Sequence, residues 1–336
     1  MRRLVATALF AVTSLVLAAP AAAQDTHRHS GNMRHVLNLP YEARNGTTPN
    51  YGTDIEFARL AGKQHALAGS YSNGMQIVDI SRPERARIAA IYDCGVSQGD
   101  VQVFRRADLP GRTFATYTSD TYGDGTSTCY REAAALGFNV LKSNGTGKNG
   151  TFILEVTDPL NPKTLSFAEV TQGSHNQTVH PSGKYMYNSK LGPHHLGAAG
   201  HRGHRHHGPV RAEDGGEQIM TMAWYNGGVR VIDLSGLTGI SVGSQELTGA
   251  GMKEIGYYRI QGMDTWAKTP RIDPQTGDFY LYGNDVARGL DVYEFTGAGE
   301  ASTAQGTWMT PSQTLAASQA RPKVAAQDTL FCLLPR

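Results

Sequence analysis

Short apolar runs separated by Gly, Pro, Asn and Ser recur along the chain, and one of these runs is an internal repeat. Its first copy, Gly74–Ser81, reads GMQIVDIS. The shared pattern is Gly, two variable residues, two large apolar residues, an acid, one apolar residue, then Ser or Thr. Such short runs, rich in β-branched and aromatic residues and bounded by turn residues, are typical of strands. The other copies are Gly150–Thr157, Gly228–Ser235 and Gly289–Thr296.

Two adjacent apolar residues in each copy, Ile77 and Val78 in the first, break the alternation of a strand with one solvated face. Both faces are therefore predicted to be covered, as in sheets that stack on sheets. The acid of each copy is predicted to accept hydrogen bonds near the strand end rather than to act chemically. These acids are Asp79, Glu155, Asp233 and Glu294.

Four short apolar runs fall between Asp54 and Tyr92, with turn residues between them. Four strands in about 40 residues make one blade of a β-propeller. A second unit starts at Asp100 and is split by a long excursion, 120–149, in which Cys129–Gly137 reads as a short helix. The predicted fold class is all-β, a β-propeller with about four to five recognisable four-stranded blades in a ring that is either complete or incomplete.

The strand pattern fails at residues 190–216, a His-rich stretch without any strand period. The outer half of one blade and the inner strand of the next are predicted to be missing around it. The last blade also lacks its outer strand. His35–Tyr41 is predicted to supply that strand and close the ring, because a propeller must protect its edges.

The first 23 residues carry an Arg pair, a short apolar run and an Ala-rich end, which is the pattern of a secretory signal peptide. The protein is therefore predicted to be secreted or held at the cell surface, with no transmembrane segment. Residues 24–50 are predicted to form a mobile N-terminal arm whose histidines are solvated, and 298–336 a flexible tail. The arm histidines are His27, His29 and His35.

Net charge and cysteine content limit the kinds of partner and the covalent cross-links that are expected. The chain has 31 basic and 29 acidic residues, and loss of Arg2 and Arg3 with the signal peptide brings the formal charge to zero. Nucleic acid is therefore not an expected partner, since it requires a basic surface. Export permits disulfides, so Cys94 and Cys129 are predicted to pair, with Cys332 left over.

The repeat and the Pro that follows it in ISRP and VTDPLNP resemble the LVIVD-repeat family, as do GSHNQTVHPSGKYMYNS and MAWYNGGVRVIDLSG. The resemblance covers about residues 50–190 and 217–297. It implies an exported or cell-surface β-propeller and no assigned chemistry. Long-form members are expected to carry more blades, so 190–216 is interpreted as an internal deletion or frameshift scar, with native sequence as the alternative.

A second repeat marks candidate functional residues. Asp100 follows Gln-Gly, and His175 and Asp264 each follow Gln-Gly and one further residue. Asp54 fits the pattern less well. Each opens the first strand of a blade, so the four are expected to converge at one mouth of the channel. This ring of three Asp and one His either holds a hard cation such as Ca²⁺ or caps turns between blades.

Other side chains are weaker candidates for binding calcium or a transition metal. His65 joins His175 or His180 in a copper-site hypothesis, and Asp120 and Asp124 form an imperfect calcium loop. The remaining metal candidates lie in the His-rich stretch, chiefly His204, His206 and His207. The aromatic residues Trp224, Tyr225 and Trp266 are interpreted as blade core or channel wall, with a stacking platform as the alternative.

No nucleophile elbow, zinc-protease motif or phosphate loop occurs in the sequence. The preferred hypothesis is a non-catalytic, exported propeller that binds an unidentified extracellular protein or small ligand through the channel mouth and loops. The alternative is a calcium- or copper-dependent enzyme that uses the Asp/His ring. A damaged, poorly folding copy is a third possibility.

Overall fold

The computed structural model describes residues 27–44, 49–121, 123–170, 173–180, 183–189, 208–209, 219–233, 253–269, 273 and 277–297. These residues form nineteen β-strands, one α-helix and two short 3₁₀ turns. Two strands, β1 (His27–His29) and β2 (Met33–Leu39), precede the first repeat unit. The predicted signal peptide, the tail with Cys332, and nearly all of 190–216 lie outside the described residues.

The first two blades are four-stranded antiparallel meanders, as the sequence predicts. In each, neighbouring strands follow one another along the chain, and the first strand is the inner strand. The first blade consists of β3 (Gly52–Leu60), β4 (Lys63–Ser70), β5 (Met75–Asp79) and β6 (Arg87–Tyr92). The second consists of β7 (Val101–Phe104), β8 (Phe114–Ser119), β9 (Gly150–Glu155) and β10 (Lys163–Glu169).

The remaining blades are less regular, and the inner strand of the fourth, which was predicted to be missing, is present. The third has only two strands within the described residues, β11 (Asn176–Val179) and β12 (Met186–Ser189). In the fourth, a two-residue strand takes the inner position. It contains β13 (Gly208–Pro209), β14 (Ile219–Ala223), β15 (Val229–Asp233) and β16 (Lys253–Ile260). The fifth contains β17 (Thr265–Lys268), β18 (Phe279–Asp285) and β19 (Gly289–Phe295).

The blades stack face to face, which is the arrangement of a β-propeller. The inner strands β17, β3, β7 and β11 lie next to one another in that order, and β14 lies alongside β17. A separate apolar cluster fills the space between the first and second blades, the fifth and first, and the fourth and fifth. Ile77 belongs to the first of these clusters and Val78 to the second. The prediction that this pair covers both faces of its strand is therefore confirmed.

The N-terminal segment closes the fifth blade, as predicted. Strand β2 pairs antiparallel with β19, with Leu39 opposite Leu290 and Met33 opposite Phe295. The strand begins two residues earlier than expected and ends at Leu39. Strand β1 then adds a fifth strand to the fourth blade by pairing with β16. One segment thus ties two blades together, and the prediction of a mobile arm is wrong for residues 27–39.

The arm histidines are not simply solvated, because the two strands carry them against the sheets. Nε2 of His35 lies 2.8 Å from Oδ1 of the buried Asp291. Nδ1 of His27 lies 2.9 Å from the Tyr258 hydroxyl, and the His29 ring stacks on Tyr258 at a centroid distance of 5.0 Å. The solvated interpretation is therefore wrong for His27 and His35, which are partly buried, whereas His29 remains exposed.

The excursion from the second blade folds over its edge. It contains the predicted helix, α1 (Thr128–Ala135), and the predicted disulfide between Cys94 and Cys129. Both sulfurs lie in the apolar cluster between the first and second blades. Within the described residues, no helix has the length and apolar character required to cross a bilayer.

The acid at the fixed position of the repeat accepts hydrogen bonds from neighbouring strands. Glu155 receives two from Arg112, at 2.9 and 2.5 Å, and Glu294 receives two from Arg34, at 3.0 and 2.6 Å. Asp79 accepts from the Ser81 amide at 3.1 Å. These contacts confirm the structural interpretation of this acid in three of the four copies.

Candidate functional site

The inner strands begin at one face of the ring, which we call the mouth. It is formed by those starts and by the turns between second and third strands, including residues 50–54, 71–74, 224–228 and 285–288. Backbone hydrogen bonds link these segments within the first and fifth blades and, through Tyr51, between the two. The amide of Tyr71 donates to Tyr51 at 2.8 Å, that of Tyr51 to Val286 at 2.7 Å, and that of Val286 to Asp264 at 2.9 Å.

Two of the four predicted mouth residues, Asp54 and Asp100, connect neighbouring blades. Oδ2 of Asp54 accepts from the Val101 amide at 3.1 Å, and Oδ2 of Asp100 accepts from the Gln177 amide at 2.9 Å. The other oxygen of Asp100 accepts from the Asn176 side chain at 2.8 Å. Both acids are buried, with 1% and 0% of their surfaces exposed. Each therefore fastens the start of one inner strand to the next.

Lys268 and Glu56 complete a buried charge cluster with these two acids. The Lys268 ammonium lies 3.6 Å from Oδ1 of Asp54 and forms an ion pair with Glu56. Glu56 also accepts from Gln102 at 3.3 Å. Asp54 and Glu56 thus share one ammonium group, and Asp100 interacts with it at longer range, where the fifth, first and second blades meet.

Burial and mutual charge shift the acid–base equilibria of the cluster. Burial raises the pKa of Asp54 and of Glu56, and the Lys268 charge opposes the shift in each. Burial, followed by the charge of Asp54, raises the pKa of Asp100 well above its usual value. Burial alone would lower the pKa of Lys268, but the charges of Asp54 and Glu56 outweigh it and raise that pKa. Lys268 is therefore held as a cation, and the carboxyl groups compete for it.

His175 and Asp264 belong to different local arrangements. Nδ1 of His175 lies 2.8 Å from Oδ2 of Asp120, and its side chain is buried. The Asp264 amide donates to a side-chain oxygen of Asp285 at 2.8 Å, while Asp264 itself is partly exposed. Burial raises the pKa of Asp264, and that of Asp285 to about 6. The structure thus brings Asp54 and Asp100 together but gives His175 and Asp264 other neighbours.

The remaining metal candidates are dispersed. Nδ1 of His65 lies 3.1 Å from the Lys63 carbonyl oxygen, and His180 packs against Tyr185 and Tyr187. Asp124 accepts from Arg44 at 2.8 Å. In the part of the chain that the structure describes, no three His, Cys, Asp or Glu side chains are placed to hold a metal ion. His204, His206 and His207 lie outside that part.

Aromatic side chains at the mouth are a feature that sequence reasoning placed in the core. Trp224 is 56% exposed, in the turn between β14 and β15, which corrects its interpretation as core or channel wall. Tyr225 follows it and packs edge-on against the buried Trp266 at 5.3 Å. Tyr51 and Tyr71 are both partly exposed at the mouth end of the first blade, and their ring centroids lie 6.4 Å apart. These four partly exposed aromatics form the mouth rim: Tyr51, Tyr71, Trp224 and Tyr225.

Strained backbone is concentrated at the same face. Five residues other than glycine have positive φ in the described chain. Four of them lie at the mouth: Asn50 (71°), Tyr51 (59°), Ser72 (60°) and Tyr225 (47°). A tyrosine in this conformation is unusual, because its Cβ crowds the backbone. Such strain persists only where surrounding contacts fix it, and it is enriched at binding and catalytic sites.

Comparisons with known proteins add little. No family model matches the chain, and no curated protein matches it. Among solved structures, β-1,2-mannobiose phosphorylase from Listeria innocua, in complex with β-1,2-mannobiose, is similar at 12% identity and a TM-score of 0.25. The match covers 74% of this chain and 62% of that one. A likeness at this level carries no argument about function.

Proposed function

We propose that this protein is an exported, non-catalytic β-propeller of the LVIVD-repeat type, which binds an extracellular protein or a small ligand through its mouth. The observation that carries the proposal is the coincidence, at one face, of the aromatic mouth rim with four of the five described non-glycine residues that have positive φ. A rigid ring of sheets that presents fixed loops at one face is suited to recognition.

The contacts of the inner acids favour binding over the alternative of a metal-dependent enzyme. A catalytic metal needs several ligands that converge and leave a coordination position open. Asp54 and Asp100 instead direct oxygens to backbone amides of the adjacent blade, and His175 is oriented by Asp120. The acids thereby maintain the shape of the mouth, and the loops above them are left to make contacts with a partner.

Site-specific photo-cross-linking tests this assignment. A photoreactive phenylalanine analogue is placed at Tyr71 in the mouth or, as control, at Leu160, which is 62% exposed in the turn between β9 and β10 at the opposite face. Each protein is incubated with an extracytoplasmic fraction of the producing cell. We expect adducts from position 71 that excess unmodified protein competes away, and none from position 160. Equal labelling from both positions, or no competition, would contradict the proposal.

A further inference from the structure

Trp224 is held as an open, planar platform. Its amide donates to the Gly228 carbonyl at 2.9 Å, and the Gly227 amide donates to the Trp224 carbonyl at 2.7 Å. Gly227 lies directly against the side chain, since a Cβ built there would be 3.2 Å from the indole Cγ. One side of the indole is thus supported by backbone, while more than half of the residue is exposed. An enclosed cage would cover both faces, whereas this arrangement leaves one face for stacking.

A carboxylate with spare acceptor capacity lies close to this platform. Tyr225 packs on Trp266, which is two residues from Asp264. Oδ1 of Asp264 is enclosed, yet it accepts no hydrogen bond from any described residue. The residue as a whole is partly exposed. A buried acceptor without a donor costs free energy, which a ligand hydroxyl group would recover once rotation of the partly exposed carboxyl group brings this oxygen to the surface. The mouth therefore combines apolar stacking surface with a hydrogen-bond acceptor.

Among the described residues, the cations at the mouth already have partners, which favours a neutral ligand over an acidic one. Beside Trp224, Arg259 donates to the Asn226 carbonyl, and Arg230 donates to the Gly227 carbonyl and to Glu254. Arg288 is committed to Asp291, to which it donates at 2.7 and 2.8 Å. Arg44 is committed to Asp93 and Asp124. An extended peptide is also a poor fit, because it is usually bound along an open strand edge. The β17 strand is the inner edge of its sheet, but it has only four residues, and β14 and β3 of the neighbouring blades lie alongside it.

We infer that the mouth binds a neutral carbohydrate chain, an assignment that rests on the proposed binding function. A sugar ring has an apolar C–H face that stacks on an indole or phenol ring, and hydroxyl groups that donate to a carboxylate. Aromatic walls with a few placed polar groups are the usual composition of small-ligand sites. Trp224 and the tyrosines of the mouth rim supply the stacking surface, and Asp264 accepts hydroxyl hydrogen bonds.

Titration of the full mature chain with neutral hexasaccharides of glucose, mannose and N-acetylglucosamine, followed by tryptophan fluorescence and calorimetry, tests this inference. We expect saturable binding of at least one. Trp224→Ala should weaken it by about tenfold or more, the equivalent of about 1.4 kcal/mol. Asp264→Ala should weaken it about tenfold through loss of a charged acceptor. Leu160→Ala is the matched control and should bind as wild type, and thermal melts confirm that all variants fold.

The outcomes separate this inference from the function on which it rests. If none of the three hexasaccharides binds, or if Trp224→Ala binds as well as wild type, the carbohydrate assignment is wrong. Even if saccharide binding fails, position 71 can still give cross-links that excess unmodified protein competes away. If treating the fraction with protease abolishes these cross-links, the partner is a protein and the proposed binding function is supported. If neither saccharide binding nor competed cross-links are observed, both the carbohydrate assignment and the proposed binding function are wrong.

Discussion

Replacing Lys268 by methionine removes the ammonium group that lies near the buried carboxyl groups of Asp54 and Asp100 and the partly exposed one of Glu56. The Lys268 side chain is 9% exposed and that of Asp54 is 2% exposed. Methionine is unbranched and similar in length, so the change removes charge with little loss of volume. Removal of one partner from a buried ion pair typically costs about 3–5 kcal/mol, because the remaining charge stays desolvated. We expect the free energy of unfolding to fall by an amount in this range.

A matched control separates this effect from loss of an ordinary surface contact. Lys63 lies 3.4 Å from Asp79, with its side chain 56% exposed. Surface pairs of this kind contribute about 0–1 kcal/mol. Urea-induced unfolding of Lys268→Met, Lys63→Met and wild type at neutral pH should therefore show a large loss for the first variant and little for the second. Equal losses would refute the claim that the cluster is a buried, mutually dependent set of charges.

The pH dependence of the same variant gives an independent check. Burial raises the pKa of Asp54 and Asp100, and loss of the Lys268 charge raises these values further. A carboxyl group whose folded-state pKa lies above its unfolded value loses stability as pH rises through the folded pKa. Lys268→Met should therefore recover part of its lost stability when the pH is lowered from 7 to about 5. A deficit that stays constant with pH would mean that the loss arises from packing.

Three further predictions concern other buried contacts. Replacing either Cys94 or Cys129 by Ser should lower the free energy of unfolding by about 3–4 kcal/mol, because the disulfide joins residues 35 apart in sequence. In thermal melts the double variant should be as stable as either single variant. Losses that add in the double variant would contradict this. Arg44→Met should lower the free energy of unfolding in urea by about 2–4 kcal/mol, against about 0.5 kcal/mol for the exposed Arg106→Met. Since Arg44 helps to lower the pKa of Asp93, the difference between the two variants should shrink as pH falls through that pKa. Equal losses in the two variants would contradict a buried role for Arg44. Because burial raises the folded-state pKa of Asp285 to about 6, the free energy of unfolding should fall as pH rises from about 4 to 6. In urea unfolding at several pH values, Asp285→Asn should remove this dependence on pH, and carboxyl NMR of the wild type should show the raised pKa. An unchanged pH dependence in the variant would assign it to another group.

Local sequence pattern was sufficient for the strands and for the faces they bury. The repeat copies that begin at Gly150 and Gly289 form strands that begin at those residues, and helix α1 occupies the predicted part of the excursion. The adjacency of Ile77 and Val78 was enough to predict sheets covered on both faces. The closing strand followed from counting, because a blade with three strands needs a fourth. In each case the deciding information lies within a few residues or within one blade.

The site required information that strand patterns do not carry. Alternation places Asp54 and Glu56 on one face of β3, so Glu56 was within reach of sequence reasoning. Lys268 lies 212 residues from Glu56, and nothing in either strand specifies that the two meet. The offset in the third blade was also invisible, since Asp100 reaches Asn176 and Gln177 rather than the aligned His175. Pairing between blades depends on their order around the ring and on the relative shift of their inner strands.

Trp224 shows why residue type alone misleads at such a face. Large apolar side chains are usually assigned to the core, yet exposure depends on which segment carries them. The turn around Trp224 is fixed by a positive φ at Tyr225 and by two glycines, Gly227 and Gly228, the second at φ 88°. This backbone holds the indole outward while Tyr225 packs on Trp266. The apolar surface is therefore kept exposed by local strain, which a ligand that stacks on it would offset.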